Sequence, residues 1–101
     1  MRRFSISPIT HEVCEGVTAI KRGGTVTIRI FNFKSTASMG YTRVGSIPAD
    51  WVCSLGSVVG SLYHSGDTDG KTYVEVMSTG EVAIDSGNKA GTIHGTLTYD
   101  I

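Results

Sequence analysis

The chain predicts an all-β domain, an antiparallel, jelly-roll-like β-sandwich of seven or eight strands. Three observations carry this. Apolar and polar residues alternate with period two along most of the sequence, and no segment shows the helical period. Turn signals interrupt the alternation about every 8–12 residues, the spacing of sandwich strands. Thirteen of the 101 residues are glycine and only two are proline, an excess that in a β-patterned chain supplies tight turns rather than linkers.

Residues 4–10 open the chain with Phe4 and Ile6 alternating against Ser5 and Ser7, and Pro8 confines any strand there to an edge or a lead-in. Over residues 13–21, Val13, Val17 and Ala19 share a face, with a bulge or bend at Glu15-Gly16. Arg22-Gly23-Gly24-Thr25 is a hairpin signal, because Gly-Gly supplies the positive φ of a two-residue turn. The next strand, Thr25 to Phe33, puts Val26, Ile28 and Ile30 on one face and Thr25, Thr27, Arg29, Phe31 and Phe33 on the other. On that second face Phe31 and Phe33 close one end of the core or bury against another subunit.

Residues 34–40 are small and polar and read as a loop. Tyr41 to Ile47 resumes as a strand, and Pro48-Ala49-Asp50 ends it in a type I turn. Trp51, the only tryptophan, folds back beneath the sheet, since an indole carries more apolar area than a turn leaves exposed. Ser54 to His64 reads as one long strand whose pattern slips near Gly56, through a bulge or because both faces are covered. After the turn-rich segment 65–71, Thr72 to Met77 and Glu81 to Asp85 form a hairpin around Ser78-Thr79-Gly80, with Val82 and Ile84 inward. Residues 86–91 form another loop. Thr92 to Ile101 then closes the chain, with Ile93, Gly95, Leu97, Tyr99 and Ile101 inward and His94 among threonines outward.

One domain spans residues 1–101, without repeat or linker. A chain this short buries roughly 60–70% of its unfolded surface. Nine basic and nine acidic residues cancel, so the basic excess of a nucleic-acid binder is missing. The halves differ: Arg2, Arg3, Lys21, Arg22, Arg29, Lys34 and Arg43 precede residue 51 with three acids, whereas Lys71 and Lys89 follow it with six. Interleaving strands would mix these charges over the surface; the sharper alternative is a basic face meeting an acidic face on a neighbouring subunit. No apolar run approaches the roughly 20 residues of a membrane span, and Met1 to Ile6 lacks the apolar core of a signal peptide. Cys14 and Cys53, far apart and without zinc-site spacing, read as free thiols.

No catalytic motif stands out: there is no Gly-x-Ser-x-Gly, no phosphate-binding loop and no His-Glu-x-x-His. The chain reads as a non-enzyme without cofactor or metal. His64 and His94 ligate a metal together only if their strands are neighbours in matching register. Asp67-Thr68-Asp69-Gly70 resembles part of a calcium loop but lacks its remaining acids, and an Asx-bonded turn explains it more simply. Carboxylate pairs such as Asp67 with Asp85, or Glu75 with Glu81, are not singled out by anything in the pattern. Aromatic residues beside polar loops are the remaining signal, because a phenol or indole stacks on sugars. Trp51 and Tyr99 read as core. Tyr63 and Tyr73 flank the acidic loop and, with His64, Asp67, Asp69 and Lys71, form the candidate ligand site.

Four features in order carry a resemblance: the hairpin from Val17 to Ile28; the turn Val44-Gly45-Ser46-Ile47-Pro48-Ala49-Asp50-Trp51; the pair Tyr73-Val74-Glu75-Val76 and Thr79-Gly80-Glu81-Val82-Ala83-Ile84; and the ending Gly95-Thr96-Leu97-Thr98-Tyr99-Asp100-Ile101. From about Gly16 onward the chain resembles the C-terminal domains of tail-fibre and baseplate receptor-binding proteins of tailed phages and prophages. The central turn looks like that family's leucine-proline-x-glycine-tyrosine turn, with Asp50 where glycine is usual and Val52-Cys53 where arginine-proline follows the aromatic. The resemblance implies a β-sandwich head that assembles as a homotrimer, with Phe31 and Phe33 suited to the subunit contact. It implies a virion-tail protein, assembled in the bacterial cytoplasm, that binds a host-surface receptor, often a cell-wall saccharide, alongside other phage tail proteins. The alternative is a structural baseplate domain without receptor binding. Residues 1–15 are then a lead-in strand or the remnant of a shaft.

Overall fold

The computed structural model describes residues 7–67 and 69–101; the expected alternation of Phe4 and Ile6 lies outside them. Nine strands are formed among the described residues: β1 (Ile9–Cys14), β2 (Val17–Arg22), β3 (Thr25–Ser35), β4 (Tyr41–Ser46), β5 (Val58–Ser61), β6 (Tyr63–His64), β7 (Tyr73–Val76), β8 (Glu81–Asp85) and β9 (Gly91–Asp100). All pair antiparallel. They make a five-stranded sheet in the order β1-β2-β3-β9-β6 and a four-stranded sheet in the order β4-β8-β7-β5, packed as a β-sandwich. Period two builds the core directly. Val17, Ala19, Val26, Ile28, Ile30 and Ile93 of the first sheet meet Val74, Val76, Val82 and Ile84 of the second, all essentially without solvent contact. Each fully buried Val or Ile contributes about 1.5–3 kcal/mol.

The structure differs from the sequence reading in four places that shape the fold, and also at Ile101, expected inward but 40% exposed at the end of the chain. Glu15-Gly16 is not a bend within one strand but the turn of a first hairpin, where Gly16 takes a φ of 87° and β1 folds onto β2; this, with the division of the 54–64 run into β5 and β6, raises the strand count to nine. Ser54 to His64 is not one strand either. Residues 54–57 are loop, with Leu55 94% exposed, and the extended run begins at Val58. From there Val58, Gly60, Leu62 and His64 face inward while Val59 and Tyr63 face solvent. The apolar pattern slips because two large residues lie outside. This run belongs to the four-stranded sheet as β5, passes through buried Leu62 and joins the five-stranded sheet as β6.

The third difference concerns Phe31 and Phe33. A bulge falls between Ile30 and Phe33 in the pairing with β9, and Asn32 at its centre has a φ of 55°. One extra residue flips the parity of the strand. Phe31 remains outside, 57% exposed, whereas Phe33 turns into the core, 8% exposed. Phe33 is therefore a core residue of its own chain and not part of an outward-facing subunit contact. Fourth, among the described residues the charges mix only on one face, and the other is predominantly acidic. The outer face of the four-stranded sheet carries Glu75, Glu81 and Asp85 with Arg43 alone against them. The outer face of the five-stranded sheet carries Arg22, Arg29 and Lys34 against Glu12 and Asp100. Charge follows the sheets because β1 to β3 build one and β7 and β8 the other.

The proline turn is a corner of the core, as expected. Trp51 ends a short 3-10 turn over Ala49–Trp51, its N–H donating to the Pro48 carbonyl at 2.9 Å. The indole is 6% exposed and packs edge-on to His11, with ring centres 6.2 Å apart. The Tyr99 hydroxyl donates to the Trp51 carbonyl at 2.7 Å, and burial of that phenol pushes it up to about 12.

Candidate functional site

The expected ligand set does not come together as one site. His64 is buried, 4% exposed. Its Nδ1 accepts the Gly66 N–H at 2.8 Å, so Nε2 carries the proton, facing the Ser35 hydroxyl at 3.0 Å and the Lys89 carbonyl at 3.1 Å. Ser35 in turn donates to the Lys89 carbonyl at 2.7 Å. A nucleophile–base pair needs an imidazole lone pair aimed at the serine hydroxyl; here both polarities are reversed, so this pair ties the ends of β3 and β6 to the loop at Lys89 and activates nothing. His64 and His94 sit on neighbouring strands but one register step apart, His64 opposite Ile93 and His94 opposite Tyr63. They therefore face opposite sides of the sheet. Among the described residues no group of three or more His, Cys, Asp or Glu is placed to hold a metal ion.

Asp67 forms the Asx turn that its sequence predicts. Its carboxylate accepts the N–H groups of Asp69 at 3.0 Å and Lys71 at 2.9 Å and the Thr72 hydroxyl at 3.0 Å. Lys89 reaches it at 3.3 Å and reaches Asp69 at 3.6 Å. The Asp67 side chain is 3% exposed. The Asp69 N–H, aided by Thr72, Lys71 and Lys89, holds its carboxyl well below the usual aspartate range against the opposing effect of burial. Asp67 thus clamps the loop after β6 to the loop before β9, and its accepting positions are occupied from within. The stability it contributes is complete above the unfolded aspartate value of 3.8 and is lost as pH falls through the depressed folded value. Amide exchange in residues 69–72 is therefore expected to be flat from pH 7 to about 4, after correction for intrinsic rates, and to lose protection below that. In Asp67→Asn this protection is weaker at neutral pH and its acid dependence is blunted.

Asp69 and Lys71 are exposed on that clamped loop. Tyr73 lies on β7, in the other sheet, beside Tyr41 with ring centres 6.5 Å apart. Tyr41 donates its hydroxyl to Glu75, whose carboxylate pushes the Tyr41 phenol up to about 12. Desolvation, then the charges of Asp85 and Glu75, raise Tyr73.

Tyr63 alone of the expected set belongs to a larger open feature. On the outer face of the five-stranded sheet it stacks on His94, with ring centres 6.2 Å apart and planes 13° from parallel. His94 meets Phe31 at 5.4 Å, and the Arg29 guanidinium lies 6.0 Å from the Phe31 ring centre. Four side chains from β3, β9 and β6 thus form one row, Arg29–Phe31–His94–Tyr63, with Phe31 57% and Tyr63 64% exposed. The bulge positions this row. The Asn32 N–H donates to His94 Nδ1 at 3.2 Å, which fixes the imidazole against the residue that turns Phe31 outward and leaves the proton on Nε2. A shallow groove of about 370 Å³ continues from the Phe31 end, lined by Thr10, Gly16, Thr18, Ile20, Arg29 and Phe31. Sequence reasoning placed Tyr63 in the ligand site and Phe31 in the subunit contact; the structure puts both in one row. It missed Arg29 and His94. Each stood on the outward face of its strand in the pattern, but only the pairing of β3 with β9 and of β9 with β6 brings them side by side.

A comparison with protein-family models finds no match, and a comparison with curated proteins finds no related sequence.

Proposed function

We propose that this domain is a non-enzymatic receptor-binding tip of a phage or prophage tail fibre or baseplate, that it binds a saccharide of the host surface, and that it works as a homotrimer. The row Arg29–Phe31–His94–Tyr63 carries the reading. Stacked, open aromatic rings offer apolar faces to the C–H faces of sugar rings, and the hydroxyls of Thr18 and Thr96, on either side of Arg29, are of the kind that bond sugar hydroxyls. The row stands on hydrogen-bonded strands rather than on loops, which keeps the ordering cost of binding low. A single site of this size is weak, and three on one trimer gain avidity. The test is binding of fluorescently labelled domain to arrayed microbial cell-wall polysaccharides and to intact host cells. Phe31→Ala and Tyr63→Ala are each expected to weaken binding about tenfold, or about 1.4 kcal/mol, with the fold intact by circular dichroism because both side chains are exposed. Retention of full affinity in both variants overturns the assignment of the site. Light scattering is expected to give three times the chain mass, and a monomer at micromolar concentration overturns the trimer.

A second reading, a structural baseplate domain, draws support from apolar residues exposed elsewhere: Leu55 at 94%, Ile9 at 58% and Val59 at 57%. Such residues suit contacts with other tail proteins. Absence of binding to every polysaccharide and every candidate host, with assembly into tails retained, favours it.

A further inference from the structure

Building on the saccharide reading, we propose that the ligand is an acidic saccharide and that Arg29 binds its anionic substituent, a carboxylate or a phosphate. Arg29 is an exposed cation without a carboxylate partner among the described residues. The ion pairs there are Arg43 with Glu81, and Lys89 with Asp67 and Asp69. Across the sheet Arg29 stands opposite Thr18 on one side and Thr96 on the other, so hydroxyls stand on both adjacent strands, and the acid in its row, Glu12, lies one strand further on, opposite Thr18. Lys34, the other cation near the row, is engaged by the Thr92 hydroxyl at 3.0 Å.

Arg29 also stands where two binding elements join. Its guanidinium lies at the end of the aromatic row, 6.0 Å from the Phe31 ring centre, and lines the groove beyond. A sugar ring stacked on Phe31 brings an exocyclic carboxylate or phosphate within reach of the guanidinium fork, which binds such oxygens in pairs. The threonine-lined groove then receives the next residue of the polymer. The opposite face of the sandwich, with Glu75, Glu81 and Asp85 against Arg43 alone, repels an acidic polymer. Charge therefore directs the ligand to the face that has the aromatic row.

The experiment uses the full chain and an array of microbial polysaccharides, each uronate polymer printed beside its carboxyl-reduced form and each phosphate polymer beside its dephosphorylated form. Wild type is expected to bind the acidic member of a pair at least about tenfold more tightly, with the preference shrinking as salt rises. The chemical treatment that removes it identifies carboxylate or phosphate as the recognised group. Arg29→Gln is expected to bind both members at the neutral level, and Arg29→Lys to fall between. Equal wild-type binding of acidic and neutralised forms overturns the acidic-ligand inference and leaves the saccharide platform standing. An acidic preference that survives Arg29→Gln overturns the role of Arg29. No binding to any polysaccharide overturns the platform reading itself, and this inference with it.

Discussion

Trp51→Ala is expected to lower the stability of the domain by about 3–5 kcal/mol, the range for deleting a buried aromatic side chain. The indole is 6% exposed and belongs to the central cluster with Ile47, Cys53 and Tyr99. Its removal leaves a void that neighbours cannot readily fill. The proline turn is pinned by the Trp51 N–H on Pro48 and by the Ile47 N–H donating to the Gly80 carbonyl at 2.8 Å, so the backbone does not collapse inward. The loss is one of packing, because the Tyr99 hydroxyl bonds the Trp51 main-chain carbonyl, which alanine retains. A domain of this size has about 5–15 kcal/mol in total, so the variant sits near the limit of folding. Urea denaturation checks this: the midpoint falls steeply while the slope, set by the surface exposed on unfolding, stays near the wild-type value. Trp51→Phe, which keeps a ring in the site, is expected to lose clearly less. A loss under about 1 kcal/mol in Trp51→Ala contradicts the core role of the corner.

Trp51 was legible because a large apolar residue after a proline-led turn has few places to go. The core strands β3, β7, β8 and β9 were legible for a related reason: when one face is buried and the other wet, the alternation itself records the sheet. Legibility failed where one residue changed the parity or where an outward face was apolar. Nothing in Ile30-Phe31-Asn32-Phe33 marks Asn32 as the bulge, since asparagine tolerates the left-handed region but does not require it. Val59 and Tyr63 concealed the alternation of β5 and β6 for the opposite reason, being large and outside. The aromatic row was the least legible feature. Its members stand 29, 31, 63 and 94 along the chain, and only strand order joins them. Tyr63 drew notice for its acidic neighbours, yet the acids proved to be a closed structural clamp while its true neighbours were rings on other strands.

Gly66→Ala is the second substitution expected to be severe, and for a steric rather than a cavity reason. A Cβ at residue 66 would lie 2.3 Å from the Ala90 carbonyl oxygen and 3.2 Å from the His64 ring. The oxygen belongs to the main chain and cannot swing aside as a side chain can. The loop after β6 and the loop before β9 must therefore separate, and three sets of contacts join the two sides. These are the His64 Nε2–H on the Lys89 carbonyl, the paired bonds between Ser65 and Thr92, and Lys89 on Asp67, while the Gly66 N–H on Nδ1 orients the His64 ring for the first of them. Overpacking costs about 1–3 kcal/mol, and each buried hydrogen bond released adds about 1 kcal/mol, so a total of about 2–4 kcal/mol is expected. Gly24→Ala supplies the control, because nothing lies within 4 Å of the added carbon, and a near-neutral effect is expected there. Gly70→Ala falls between: its surroundings are open, but its φ of 67° costs an L-residue about 1–2 kcal/mol. The order Gly66, Gly70, Gly24 in thermal denaturation is the outcome that supports the clamp. Because β6 leads directly into the loop that Gly66 shifts, Gly66→Ala is also expected to disturb the stacking of Tyr63 on His94. Saccharide binding should then fall in this variant while Gly24→Ala leaves it unchanged. A Gly66→Ala protein as stable as Gly24→Ala would mean that the two loops are free to part, and that His64, Asp67 and Lys89 do not hold the end of the sandwich on which the aromatic row rests.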